Sequence, residues 1–479
     1  MKYETVIGLE VHLHLATDSK AFCGCSTEFG QRPNSQSCPV CMGLPGSLPV
    51  LNEKAFQYAI KAALALNCKI QDLVKFDRKN YYYPDLPKNF QISQYDMPLS
   101  YDGFLEVASK ERRKKIRIRR VHMEEDAGKL VHPEKGFNSL VDYNRSGIPL
   151  LEIVTEPDLS SPQEAYDYLT ALKAILKYLK VSDCDMEKGS LRCDANISVR
   201  EEGSSKLGAK VELKNMNSFK GVRDALDYEI DRQINFLEEG GKITQETRLW
   251  DAENGVTISM RYKEESEDYR YFPEPDLVPF IPDKKLIDGI NEGMPELPQA
   301  RLNRFLKEYG LSEYDASHLT SEAQTADYFE ECVKFYPNPK AISNWITGDI
   351  ASHLNLKNLT IRELGVSPEK IAGLLKMIDD GAINGKIAKE VLEEMIVTGI
   401  SPQEIVKLKG LTQISDVLEL ERIIEEVLKK NAKSVEDYIG GKKNAFMHLV
   451  GQVMRQTKGK ASPAVVNEIL KKRLKDRSS

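Results

Sequence analysis

The chain has 479 residues, of which 41% are hydrophobic and 29% charged, and a formal net charge of -6. At about 150 residues per domain, that length predicts roughly three domains with real apolar cores. No apolar run reaches the ~18 residues of a membrane span and a strand pattern starts at once, so neither a span nor a signal peptide is predicted and a cytoplasmic protein is expected.

Near the N-terminus Ile7, Leu9, Val11, Leu13 and Leu15 alternate with Glu10, His12 and His14, the signature of a strand with one apolar and one polar face. Cys23, Cys25, Cys38 and Cys41 follow as C-x-C, twelve intervening residues and C-x-x-C. Two close pairs whose thiolates can converge tetrahedrally point to structural Zn²⁺, which outweighs a pair of disulfides in a large chain without secretory features. A closed four-thiolate set leaves no open coordination position, so its role is to staple the loop after the first strand. The scattered Cys68, Cys184, Cys193 and Cys332 are expected as small buried hydrophobes.

Residues 79–94, KNYYYPDLPKNFQISQ, lack a clean period and predict a loop that contacts a ligand or covers a cleft, with packing against a sheet edge as the alternative. The run Arg112 to Arg120 alternates around Ile116 and Ile118 and predicts a strand with one basic face, suited to phosphate contact or to a charge-protected strand edge. Val121 to Asp126 predicts a further strand, ending in Glu124, Glu125 and Asp126. A capping box with proline, Ser161-Pro162-Gln163-Glu164, opens a helix whose stripe runs to Leu179.

From Leu191 to Arg200 apolar and polar residues alternate without a break, lining up Arg192, Asp194, Asn196, Ser198 and Arg200 on one face. Asp and Asn are poor strand formers, which favours a ligand-facing surface there, while a solvated strand face is the competing reading. Lys210 to Lys214 repeats the habit with Glu212 on the polar face. A second helix starts near Ser218 and stops at Gly240-Gly241; residues 247–261 read as a hairpin turning at Asn254-Gly255, and 267–276 as an ordered loop at the rim of the first domain.

From about Pro295 the pattern is helical, with caps at Ser367-Pro368 and Ser401-Pro402-Gln403-Glu404. Phe446, Leu449, Val450, Val453 and Met454 form a stripe before Lys458-Gly459-Lys460 breaks the helix and Ser462-Pro463 caps the next. Lys442 to Arg477 holds ten Lys or Arg against two acids, a local excess of +8 that leaves -14 for the rest; a basic tail on an acidic body suggests an anionic partner such as nucleic acid, against a plainly solvated helix. The fold class is therefore α+β: a mostly antiparallel β-sheet cradle domain with flanking helices over 1–293, an all-α linker bundle over 294–407 and a small all-α basic tail over 408–479.

The polar faces of these strands bring Glu10, His12, Glu124 or Glu125, Asp194, Asn196 and Glu212 towards one concave surface, an oxygen-rich set of the kind that suits Mg²⁺ and substrate phosphates. His12 is less typical of Mg²⁺ and leaves Mn²⁺ or an indirect role open. No G-x-x-x-x-G-K-[ST], no G-x-G-x-x-G after a strand, no G-x-S-x-G and no H-E-x-x-H occurs. A nucleotide would not be held by a P-loop or Rossmann turn, and serine hydrolase or zinc peptidase chemistry is disfavoured.

The stretches Val6 to His12, Tyr83-Pro84-Asp85-Leu86-Pro87-Lys88, Gln91 to Gln94, His122 to Lys129, Leu191 to Ser198 and Asp268 to Asp276 together resemble the B subunit of bacterial tRNA-dependent amidotransferases. Leu449-Val450-Gly451-Gln452 and Lys458-Gly459 resemble that family's terminal module, so the likeness runs end to end. The resemblance implies a heterotrimer with an amidase (A) subunit and a small C subunit, acting on misacylated Glu-tRNA(Gln) or Asp-tRNA(Asn). It implies ATP-dependent phosphorylation of the side-chain carboxylate with Mg²⁺, then amidation by ammonia from the amidase partner; a non-catalytic tRNA-binding subunit is the alternative. Matching positions carry metal roles onto Glu10, His12, Glu125, Asp194 and Glu212, with Glu124 as neighbour and Asn196 as helper, and phosphate contact onto Lys79, Lys88 and Lys214. Because some members of the family lack the four cysteines, zinc is not required for the chemistry.

Overall fold

A computed structural model of the chain describes residues 3–108, 113–133, 138–262, 269–411, 417–457, 461 and 463–476. Arg112, Glu267, Asp268, Lys458, Gly459, Lys460 and Ser462 therefore lie outside the described residues. Two compact units, Met1–Leu297 and Pro298–Ser479, are resolved.

In the first unit the strands are β1 Tyr3–His14, β2 Lys69–Ile70, β3 Asp77–Asn80, β4 Phe90–Ser93, β5 Ser100–Ala108, β6 Arg113–Glu125, β7 Lys129–Val131, β8 Leu140–Asp142, β9 Pro149–Thr155, β10 Leu191–Glu201, β11 Val211–Lys214, β12 Glu246–Asp251, β13 Val256–Tyr262 and β14 Phe272–Pro273. The main sheet has nine strands in the order β13-β12-β11-β10-β1-β9-β6-β5-β2, antiparallel throughout except for β11 beside β12. Its central strands carry Ile7, Leu9, Val11, Leu13, Ile153, Cys193, Ala195 and Ile197 into one core. Helices α1 Glu53–Ala65, α2 Pro162–Leu179 and α3 Phe219–Glu238 cover that face with Ile60, Leu169, Leu172, Val222 and Leu226, all inaccessible to solvent. Each such side chain contributes ~1.5–3 kcal/mol by leaving water. Ser161 caps α2 by accepting from the Glu164 backbone N–H, and Ser218 caps α3 by accepting from Gly221. The opposite, polar face of the central strands is left for chemistry.

Three expectations change in detail. The basic and acidic runs, read as separate strands, form the single strand β6, which lies between β5 and β9 and is no sheet edge. Three of its cations are already paired, Lys114 with Glu164 at 2.7 Å, Arg117 with Asp158 at 2.6 Å and Arg119 with Glu156 at 2.9 Å, and Lys115 lies over the Phe104 ring at 3.5 Å, so the run is not one open row of charges. The stretch 79–94, read as a loop, pairs its own ends as antiparallel β3 and β4, with Lys79 opposite Gln91 and β14 added on the far side of β3. The β12–β13 hairpin turns through Gly255, whose φ of +67° is the left-handed conformation that glycine adopts without strain.

The second unit is helical and holds two separate apolar clusters. One gathers Phe305, Phe329, Ile371, Leu392, Ile405 and Val406; the other gathers Leu420, Ile424, Leu449, Val453, Val466 and Leu470. Helix Pro402–Lys409 spans residues 407 and 408, and its Ile405 and Val406 pack into the first of these clusters. The stripe read from Phe446 to Met454 packs in the second: Leu449, Val450 and Val453 are buried, while Phe446 and Met454 are partly buried against it. Among the described residues no helix is long and apolar enough to cross a membrane.

Candidate active site

Strand register builds the site row by row. Glu10 on β1 lies directly opposite Asp194 on β10; His12 lies between Arg192 on β10 and Glu152 on β9, and Glu152 in turn faces His122 on β6. Asn196 faces Glu212 on β11, and Glu212 faces Thr247 on β12. A cavity of about 500 Å³ above these rows is lined by Glu10, His12, Arg120, His122, Glu124, Glu152, Arg192, Asp194, Glu212 and Lys214. Lys79, Tyr81, Gln91, Tyr269 and Tyr271 line it as well.

Two sets of three side chains have ligand atoms close enough to hold one metal ion: Glu10 with His12 and Glu152, and His122 with Glu124 and Glu152. His12 Nε2 is 3.6 Å from both Glu10 and Glu152, and His122 Nε2 is 3.5 Å from Glu152 and 3.2 Å from Glu124. Asp194 and Glu212 stand further along the same face, held by Lys214 at 2.7 Å and 3.2 Å, while Thr247 Oγ1 donates to Glu212 at 2.9 Å. Gln91 and Ser93 donate to Glu124 at 3.0 Å and 2.5 Å, fixing its carboxylate.

The electrostatics reflect crowded carboxylates. Burial and the neighbouring Glu152 raise the pKa of Glu10. Burial alone would lower that of His12, but its contacts with Glu152 and the charges of Glu10 and Asp194 raise it to about 9. Burial would also strip Lys79 of its proton, yet Glu124 and Glu152 hold it charged. Glu124 is lowered against its burial by Lys79, and Glu152 is lowered against its own by His122 and His12.

Glu125 and Lys88 do not join this site. Side chains alternate along β6, so with His122 and Glu124 in the cavity Glu125 projects to the other side. There it forms an ion pair with Lys88, accepts from the Ile92 backbone N–H at 2.9 Å and lines a separate cavity of about 210 Å³ with Cys23, Cys41 and Arg78. Glu10, His12, Glu124, Asp194, Glu212, Lys79 and Lys214 share the main cavity, and Asn196 lies in their rows with a buried Oδ1 that has no hydrogen-bond partner among the described residues. Of the two arginines on the polar face of β10, Arg192 enters the cavity and Arg200 forms a surface pair with Glu4 at 2.9 Å.

Sequence reading gave Glu152 and His122 no role in the site, and it covered Arg120 and Tyr81 only as members of a basic run and an aromatic stretch suited to ligand contact. Glu152 carried a signal, a lone acid inside the apolar run PLLEIVT; the tyrosines come from loops whose return to the cavity no local period encodes.

The four cysteines converge, with their sulfurs within 4.8 Å of one another, and could hold a metal ion. Cys41 Sγ lies 3.9 Å from Cys38 Sγ and accepts from the Cys38 backbone N–H at 3.2 Å. Lys20, fully buried, points its ammonium at Cys41 at 3.8 Å and donates to the Gln36 and Tyr143 carbonyls. The Cys23 contact and this ammonium shift the Cys41 thiol down to about 4, while burial and Cys38 push Cys25 up to about 11. A set that favours thiolate at one sulfur and crowds the others suits a thiophilic cation.

Residues 5–288 match the family described as the GatB/GatE catalytic domain, and residues 327–474 match the GatB domain. The chain is 57% identical over 474 residues to the aspartyl/glutamyl-tRNA(Asn/Gln) amidotransferase B subunit of Caldanaerobacter subterraneus, covering 99% of this chain and 100% of that protein. It is 56% identical to the proteins of the same name from Carboxydothermus hydrogenoformans, over 476 residues, and Moorella thermoacetica, over 477 residues, with 99% of this chain covered in each case and 99% and 100% of those proteins. With the catalytic-domain match spanning more than half of the chain and these identities running its length, the chain belongs to the family of aspartyl/glutamyl-tRNA(Asn/Gln) amidotransferase B subunits.

Proposed function

We propose that this chain is the activating subunit of a cytoplasmic, glutamine-dependent amidotransferase, working with an amidase subunit and a small third subunit on Glu-tRNA(Gln) or Asp-tRNA(Asn). A carboxylate is a poor acyl donor until it is phosphorylated. The γ-phosphoryl group of ATP bonds to the misplaced side-chain carboxylate and ADP leaves. Ammonia from the amidase partner then attacks the acyl carbon, the bond to phosphate breaks, and loss of a proton leaves the amide.

The observation that carries this reading is the convergence of Glu10, His12, Glu124, Glu152 and Asp194 on one cavity beside a buried, charged Lys79. Phosphoryl transfer rests on positioning and on neutralising charge, and this set offers both. The donor set fits a hard divalent cation: it is rich in oxygen, its carboxylates crowd one another, and Asn196 Oδ1 and His122 Nδ1 are buried without hydrogen-bond partners among the described residues. Mg²⁺ held by Glu10, His12 and Glu152, or by His122, Glu124 and Glu152, would supply charge neutralisation at the phosphates. Lys79 and Lys214 would orient phosphate oxygens, and Tyr81, Tyr269 and Tyr271 would wall the cavity against water. At the cysteine cluster, which lines the separate cavity with Glu125, we assign structural Zn²⁺.

The test is an Asp194→Ala or Glu10→Gln variant in the complex reconstituted with its partner subunits. ATP-dependent phosphorylation of Glu-tRNA(Gln) is expected to fall to background in both, and its persistence would show that the site is elsewhere.

A further inference from the structure

Arg119 and Arg120 interrupt the alternation of β6, and the pairing of β6 with β9 shifts register between Ile118 and Arg120. Ile116 and Ile118 before the shift and Val121 and Met123 after it are all buried in the same core. One extra residue has therefore been inserted, a β-bulge, and it resets which residues face the polar side. Arg119 stays outside, hydrogen-bonded to Glu156 at 2.9 Å and 3.0 Å. Arg120 is turned into the main cavity in line with His122 and Glu124.

Arg120 differs from two of the other cations that line the cavity. Lys214 is paired at 2.7 Å with Asp194, and Arg192 at 3.0 Å with Asp126. Arg120 meets its nearest acid, Glu152, only at 4.0 Å, and its Nε is buried with no hydrogen-bond partner among the described residues. A guanidinium carries five N–H donors in a planar fork that matches two oxygens of a phosphoryl or carboxylate group. Glu152, already committed to His12 and His122, is not that partner.

We propose that Arg120 binds the reacting oxyanion, gripping two oxygens of the phosphoryl group in transfer or of the carboxylate that receives it. The assignment rests on the activating role proposed above. The bulge is the device that delivers it, since uninterrupted alternation from Ile118 would send Arg120 into the core and Val121 into the cavity.

The experiment uses the intact complex with Arg120→Gln and Arg120→Lys, measuring ADP formation while ATP and Glu-tRNA(Gln) are varied in turn. Arg120→Gln is expected to raise one KM about tenfold, the scale of a lost charge-assisted pair, with the thermal unfolding midpoint unchanged. A rise in the KM for ATP identifies the phosphoryl group as the ligand, and a rise in the KM for the acylated tRNA identifies the carboxylate. Arg120→Lys is expected to recover only part of the loss, because an ammonium cannot supply the fork. Both KM values within twofold of wild type in Arg120→Gln, or full recovery in Arg120→Lys, would overturn the proposal. A wild-type complex that forms no ADP in the presence of misacylated tRNA would instead overturn the activating role itself.

Discussion

Asp126 closes the end of the cavity and makes the most demanding prediction. Its carboxylate is 5% exposed and accepts from His14 Nε2 at 2.6 Å, Arg192 Nη2 at 3.0 Å and the Ala127 backbone N–H at 2.9 Å, with Arg145 Nε at 3.3 Å. Burial opposes ionisation, but Arg192, Arg145 and His14 hold the carboxyl well below the usual aspartate range. In Asp126→Asn one acceptor oxygen becomes an NH₂ that faces donors, so at least two charge-assisted hydrogen bonds are lost. At ~1.5–3 kcal/mol each for bonds to charged groups, reduced because Arg192 and Arg145 are about one-third exposed, the loss is about 3 kcal/mol. For a unit of nearly 300 residues, at ~2.1 cal/mol/K of unfolding entropy per residue, that lowers the midpoint by roughly 4–6 °C. Calorimetry or urea unfolding reads this directly, and steady-state kinetics should show a raised KM for ATP or acylated tRNA as Arg192 loses its anchor. A midpoint within 1 °C of wild type would refute the reasoning, since it would mean that the four contacts contribute nothing in solution.

The opposite facing of neighbouring acids on β6 predicts that Glu124→Gln weakens Mn²⁺ binding about tenfold or more by isothermal titration, whereas Glu125→Gln leaves it within twofold. Equal losses in both would place Glu125 among the ligands after all. The purified chain is expected to carry one zinc ion by elemental analysis when made under reducing conditions, and Cys41→Ser to lose it; substoichiometric zinc in the wild type removes that assignment. Truncation after Leu411, beyond the packed Ile405 and Val406, should raise the KM for tRNA about tenfold and leave that for ATP unchanged, and an unchanged KM for tRNA would end the tail's role in binding it.

Much of the architecture was legible because it rests on period and capping. β1, β10 and β11 followed from strict alternation, α2 and α3 from serine caps and apolar stripes, and the helical character after Pro295 from repeated Ser-Pro starts. Part of the site was legible for the same reason: once β1 and β10 are neighbours in register, Glu10 and Asp194 must face each other. What sequence alone could not supply was which strands adjoin. Glu152 stands out locally as a lone acid in an apolar run, but it joins the site because β9 lies between β1 and β6, a long-range fact that the run itself does not encode. The residues in the loop 79–94 pair as strands because β14, almost 180 residues later, completes their small sheet.

The misassignment of Glu125 has a more specific origin, and it shows how a single residue of parity decides a site. Glu124 and Glu125 end β6 and Asp126 follows directly, and composition cannot say which of them turns inward. Parity could have been carried forward from the basic half of the strand, where Ile116 and Ile118 mark the core face. Without an interruption that count sends Arg120, His122 and Glu124 into the core and leaves Glu125 in the cavity. The Arg119-Arg120 doublet is the break in the pattern, and the register shift there reverses the outcome. Burying three charged or polar side chains in an apolar core would cost far more than one unpaired bulge residue, so the chain absorbs the extra residue at the doublet. The same step that keeps Val121 and Met123 in the core delivers His122, Glu124 and Arg120 to the cavity, so the folding requirement and the chemistry are met by one insertion.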